Sequence, residues 1–117
     1  MAYTTKGKTF HRKAGQRRAL LKSLARSLVL EERISTTEAK AKALRPFIER
    51  LVSYAKTNTL ATRRFAQSKL GDPAATKKLF GSIGPRYAKR NGGYTRVIKR
   101  TKRGVNDARK LAYISFI

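Results

Sequence analysis

Surplus positive charge constrains this chain more than any other feature. Its 29 Lys and Arg face only 6 Asp and Glu, a formal net charge of +23 over 117 residues. Like charges a few ångströms apart repel by about 1 kcal/mol in bulk water and by several times that near a protein surface. An isolated fold of this composition therefore carries a destabilising field that a polyanion would relieve. Nucleic acid suits, because each phosphate paired with Lys or Arg releases condensed counterions and turns the surplus into affinity. A hydrophobic fraction of 40% separates the chain from disordered basic tails. Its length predicts one domain with one core.

The charge is unevenly placed. No acid precedes Glu31, whereas Lys6, Lys8, Arg12, Lys13, Arg17, Arg18, Lys22 and Arg26 all do. Acids then cluster between Glu31 and Glu49, and vanish again from Pro73 to Asn106. That last stretch holds Lys77, Lys78, Arg86, Lys89, Arg90, Arg96, Lys99, Arg100, Lys102 and Arg103. Two basic regions flank a better-neutralised middle.

Residues 1–15 show neither helical nor strand periodicity and read as a basic arm; residues 16–117 read as a single α/β domain, RNA-binding by the resemblance given below. From Gln16 to Leu30, Leu20, Leu21, Leu24 and Leu28 fall in one helical sector, and Arg18, Lys22 and Arg26 at i, i+4, i+8 fall in another. A short strand is expected at Arg33–Thr36. Thr36 or Thr37 then caps a helix running from near Glu38 to near Lys56. Its apolar stripe is Ala41, Leu44, Phe47, Ile48, Leu51, Val52 and Ala55, with Pro46 as a kink in a continuous element. A third helix spans about 60–70 and stops at Gly71. Asp72-Pro73 opens a short fourth helix through Phe80 or Ile83, closed by Gly81, Gly84 and Pro85. Tyr94–Arg100 and Leu111–Ile117 read as strands around a polar hairpin loop, Thr101–Lys110.

Catalysis has little to work with. Without Cys there is no disulfide, thiol nucleophile or cysteine-ligated zinc. One His, His11, gives no metal cluster or triad. Glu31 and Glu32 are adjacent, diverge by about 100° on a helix, and read as solvated charges near a helix end. Asp72 and Asp107 sit beside turn residues, where capping is the ordinary role. No Walker pattern exists, and no apolar run approaches the length of a membrane span. The basic start resembles a transit peptide in charge, yet lacks its amphipathic periodicity. No enzymatic activity, cofactor, metal, membrane or small-molecule substrate is expected.

Binding has more. In the segment Gly84–Arg96, glycines admit backbone amides to a phosphate while Arg86, Lys89, Arg90 and Arg96 supply charge to a sugar-phosphate chain. The alternative is that the glycines serve only the turn and the cations stay in solvent. His11 can touch phosphate, stack on a base, or stand solvated; Tyr3 and Phe10 can stack on unpaired bases or pack the arm. Tyr94, Tyr113 and Phe116 read as core or sheet-face residues. The expected nucleic-acid contacts, which the resemblance given below assigns to RNA, are Lys6, Lys8, His11, Arg12 and Lys13 in the arm, Arg17, Arg18, Lys22 and Arg26 on the first helix, and Arg86, Lys89, Arg90, Arg96, Lys99, Arg100, Lys102 and Arg103. A duplex-DNA architectural protein is the runner-up, though no compact recognition-helix unit or zipper is present.

Four stretches carry a resemblance: Gly7-Lys8-Thr9-Phe10-His11-Arg12; Gln16 to Ala25; Ile34-Ser35-Thr36-Thr37 with Ala39 to Arg45; and Gly84-Pro85-Arg86-Tyr87 with Gly92-Gly93-Tyr94-Thr95-Arg96-Val97. Together the chain from Gly7 to Ile117 resembles the family of bacterial ribosomal large-subunit protein seventeen. The resemblance implies an α+β fold, a two-layer α/β sandwich of about four helices on a small mixed sheet of about three strands. It also implies a structural constituent of the cytoplasmic large ribosomal subunit, present in single copy. Such a protein binds large-subunit rRNA near the exit of the nascent-chain tunnel, beside large-subunit proteins twenty-two and thirty-two.

Overall fold

A computed structural model of the chain describes residues 14–103 and 110–117, with residues 101–103 described by their backbone alone. The arm cations Lys6, Lys8, His11, Arg12 and Lys13, and Asp107 in the hairpin, lie outside the described residues. The order is α1 (Ala14–Glu31), β1 (Arg33–Thr37), α2 (Glu38–Thr57), α3 (Leu60–Leu70), α4 (Pro73–Lys78), a π-helical turn (Leu79–Ile83), α5 (Gly84–Arg86), β2 (Thr95–Arg103) and β3 (Lys110–Phe116).

Local chemistry starts these helices where the sequence predicts. Thr37 Oγ1 accepts the Lys40 N–H, and Glu38 sits in the positive first turn of α2. Thr59 and Thr62 close a reciprocal capping box at α3. Asp72 Oδ1 accepts the Ala74 N–H with Pro73 in the first turn of α4. Pro46 lies inside α2 without dividing it.

The α+β architecture is as expected, with three differences in detail. First, α1 begins at Ala14, so Ala14 and Gly15 belong to the helix rather than the arm. Second, the fourth helix is not closed at Gly81–Pro85. It passes through the π-turn, where the Gly84 N–H bonds Leu79 O five residues back, and continues as α5. That shift resets the hydrogen-bond register just before Pro85, which has no N–H to donate. Gly84 serves close approach instead of breaking the helix: a Cβ there would stand 2.9 Å from the Cβ and carbonyl oxygen of Ala55 on α2. Third, the sheet is antiparallel throughout, in the order β1-β3-β2, rather than mixed. A short hairpin can join only antiparallel strands, and β1 runs antiparallel to β3 as well. Backbone pairing also extends β2 to Arg103, into the stretch read as loop.

The core lies between the helices and one face of the sheet. Ile34, Ile114 and Val97 align across the three strands, and Ile114 is buried with Leu28, Leu44, Ile48, Leu51, Leu79 and Ile83. Each such side chain stabilises the fold by roughly 1.5–3 kcal/mol relative to exposure. On α1 the buried positions are Ala25, Leu28 and Val29, with Leu21 and Leu24 packed at the margin. Leu20, which the same stripe includes, is half-buried and stays outside this cluster.

Candidate nucleic-acid interface

Eighteen residues of α1 span about 27 Å at the usual helical rise, and Arg17, Arg18, Lys22 and Arg26 are distributed along it. Arg18 is exposed, while Arg17, Lys22 and Arg26 are half-buried. Packing of α1 against α2 and α3 creates a cleft of about 480 Å³. Its lining combines Arg18 and Lys22 with Lys69 of α3, over Leu21 and Phe47. Sequence reasoning missed Lys69, because only the tertiary approach of α3 brings it to the α1 cations.

At the other end of α1 the expectation for Glu32 fails. It is half-exposed, but it is a paired charge rather than a free one. Its backbone is left-handed, with φ of 66°, and its carboxylate binds Arg86 through Oε1 and Lys78 at 3.2 Å through Oε2. Lys78 Nζ also donates to Leu30 O at 2.7 Å. The Arg86 hydrogen bond holds the Glu32 carboxyl below the usual carboxylate range, and Glu32 in turn raises Arg86. Arg86 thus fastens α5 to the end of α1, and its charge is already paired.

The segment between Arg86 and Thr95 is fixed from inside. Tyr87 is buried, its ring 5.4 Å from that of Tyr94, and its hydroxyl donates to Ile117 O. Lys56 Nζ donates to the Tyr94 hydroxyl at 2.9 Å and to the Arg90 carbonyl. The ammonium lowers the Tyr94 pKa below its ordinary value. Gly92 and Gly93 adopt φ of +80° and +63°, a turn closed to most side chains. The Gly93 N–H donates to Glu49 Oε1 at 3.2 Å, and Thr95 donates its N–H and hydroxyl to Oε2 at 3.1 and 2.8 Å. The expectation that these glycine amides face a phosphate is therefore corrected at Gly93, whose amide is engaged by Glu49. Lys89 and Arg90 stand exposed on the loop.

Strand alternation divides the remaining cations. Thr95 and Val97 face the core; Arg96 and Ile98 face outward, level with Arg33 on β1 and with Tyr113 and Ser35 respectively, and Arg100 reaches the same face, against Tyr113 and Ser35. Lys99 lies on the helix side, 3.6 Å from Glu38, whose carboxyl is lowered chiefly by its hydrogen bond with Lys42. Lys102 and Arg103 belong to β2. The structure thus separates the expected contacts into the α1 cleft, the Lys89–Arg90 loop and the outward sheet face, and uses Arg86 and Lys99 partly for its own ion pairs. Glu49 and Tyr113 were also missed as organisers, since their partners lie more than 40 residues away in sequence or on other strands.

Among the described residues, no group of His, Asp and Glu is assembled to hold a metal, and no helix is long and apolar enough to cross a membrane. What the fold defines is a small basic α+β scaffold, braced by its own carboxylates and studded with outward cations. The chain belongs to the ribosomal protein L17 family, whose model matches residues 20–117. It is 52% identical to the large ribosomal subunit protein bL17 of a Hydrogenobaculum species, over all of this chain and 99% of that relative. Identity is 44% to bL17 of a Sulfurihydrogenibium species, over all of this chain and 97% of the relative. It is also 44% to bL17 of Sphingopyxis alaskensis, over all of this chain and 84% of the relative. The family is one of structural, non-enzymatic constituents of the ribosome, and its bacterial members are cytoplasmic large-subunit proteins.

Proposed function

We propose that this protein binds large-subunit rRNA through its sugar-phosphate backbone and holds the folded RNA near the exit of the nascent-chain tunnel, beside large-subunit proteins twenty-two and thirty-two. The observation that carries RNA binding is the internal use of acid groups. Glu32, Glu38 and Glu49 are engaged by cations or backbone donors of the fold, and Asp72 caps α4. The cations of α1, the Lys89–Arg90 loop and the outward sheet face are left to an external polyanion. The family resemblance supports the tunnel-exit position and the two neighbours.

In this reading residues 16–117 form one domain that keeps the cationic regions at fixed separation, and the arm of residues 1–15 adds Lys6, Lys8, His11, Arg12 and Lys13. RNA is clamped by shape and charge rather than read base by base. Titration of purified protein with a large-subunit rRNA fragment over a range of salt concentrations tests it. Neutralisation of about ten phosphates gives a slope of log affinity against log salt of roughly −7 to −9. A slope near zero overturns the reading.

A further inference from the structure

Tyr113 stands near the middle of the central strand on the face turned away from the helices, level with Ser35 on β1 and Ile98 on β2. Two guanidiniums lie against it: the Arg33 carbon is 3.9 Å from the ring centroid and the Arg100 carbon 5.0 Å. Arg33 pairs with Ser115, two residues beyond Tyr113, whereas Arg100 follows Lys99, the partner of Ala112. The two arginines therefore start from opposite sides of Tyr113 along the strand. Arg100 Nη1 also donates to Ser35 Oγ at 2.9 Å. Arg96, opposite Ser115, adds a third guanidinium to the face, and Ile98 is 45% exposed there. Among the described residues, no carboxylate occupies an outward register position of the sheet.

An unrestrained surface arginine loses side-chain freedom when it grips a ligand. One already laid on an aromatic ring has lost much of it beforehand, and its in-plane N–H donors remain available for forked hydrogen bonds. Two such forks around one ring, with an exposed isoleucine beside them, match a strand that offers phosphates and unpaired bases together. A duplex offers this face phosphates alone and leaves Ile98 without an apolar partner. A second copy of this chain would bring arginine against arginine.

We propose that the outward face of the sheet binds an unpaired RNA strand, with Arg33 and Arg100 forking its phosphates, Ile98 seating a base, and Tyr113 holding both guanidiniums in position. This deepens the rRNA reading and rests on it. The site takes in Arg33 and Tyr113, which charge patterning alone does not single out, and it selects single-stranded over paired RNA.

The test compares a ten-nucleotide oligoadenylate with an RNA duplex of ten base pairs, by fluorescence anisotropy at several salt concentrations. Tyr113→Leu and Arg33→Gln should each weaken oligoadenylate binding by about five- to tenfold and change duplex binding by less than about twofold. Tyr113→Phe, which keeps the ring, should match the parent. Equal losses on both probes, or no loss on the single strand, overturn the proposal. So does a Tyr113→Phe variant as weak as Tyr113→Leu, or a concentration-dependent dimer abolished by Arg33→Gln. If circular dichroism finds Tyr113→Leu unfolded, Arg33→Gln, on an exposed position of an edge strand, decides alone. A parent protein whose binding to both probes ignores salt defeats the rRNA reading itself; salt-dependent parent binding with variants that do not discriminate defeats only this site.

Discussion

The carboxylate of Glu49, on the fourth turn of α2, accepts both the backbone N–H and the hydroxyl of Thr95, the residue that opens β2. Thr95 is almost wholly buried, so water cannot readily replace that acceptor. The Gly93 N–H shares the same carboxylate. Hydrogen bonds to a charged group contribute about 1.5–3 kcal/mol each, and orphaned buried donors cost a similar amount. Glu49→Ala should therefore lower unfolding free energy by about 2–4 kcal/mol, read as a lower urea midpoint at unchanged slope. Glu49→Gln, which turns an amide donor toward one or more of these N–H groups, should lose less than Glu49→Ala. A Glu49→Ala midpoint equal to the parent's would mean that the loop is held by Tyr94 and Lys56 instead.

Glu32 gives the fold an acid-sensitive joint. Its folded-state pKa is depressed by the Arg86 hydrogen bond, with Lys78 adding to it. A carboxylate of this kind contributes stability at neutral pH and loses it as pH falls through the folded value. Exposure and solvent screening limit the contribution to about 1 kcal/mol. Glu32→Gln should then be less stable than the parent by about that amount at pH 7, and the gap should close towards pH 3. Glu32→Gly separates charge from backbone. The residue sits at φ of 66°, where a non-glycine residue costs about 1 kcal/mol or more. At pH 3 the glycine variant should therefore melt above the Gln variant.

Much of the fold was legible because it is written locally. Thr37 and Asp72-Pro73 announce helix starts through their own side chains, and the stripe from Ala41 to Ala55 gives α2 its buried face, whereas the Thr59–Thr62 capping box of α3 was not read from the sequence. Gly84 misled because a glycine before a proline has two uses, a break or a close approach, and only the position of Ala55 distinguishes them. Glu32 misled for a related reason: its partners Lys78 and Arg86 are remote in sequence. The candidate site was legible as a tally of cations on faces. Whether a given cation faces outward, pairs with a fold carboxylate like Arg86, or stacks on Tyr113 like Arg33 depends on tertiary contacts that periodicity does not encode.

The Gly84 contact makes a stability prediction independent of charge. Its φ is −56°, so alanine meets no backbone strain and even raises helix propensity. The obstacle is Ala55, whose Cβ and carbonyl oxygen stand 2.9 Å from the added methyl position. Overpacking of this kind costs about 1–3 kcal/mol. Gly84→Ala should lower the melting temperature, and Gly81→Ala, where an added Cβ meets nothing within 4 Å, should not. Equal melting of both variants with the parent would show that α2 and the π-turn can separate freely.

Arg18 and Lys22 share the α1 cleft with Lys69, and this gives the rRNA reading a mutational signature. Alanine at Arg17, Arg18 and Lys22 should leave far-ultraviolet circular dichroism unchanged, since none of the three is buried and alanine is the strongest helix former. The same variant should bind a large-subunit rRNA fragment more weakly and flatten the log affinity against log salt slope by about 2–3. Lys69→Ala alone should flatten it by about 1. If a single RNA segment occupies the cleft, Lys69→Ala placed on top of the triple variant should cost less than it does in the parent, because its phosphate has already lost its other partners. Full additivity would assign Lys69 to a separate stretch of RNA. A triple variant with the parent's slope would remove α1 from the interface and leave the Lys89–Arg90 loop and the sheet face to carry it.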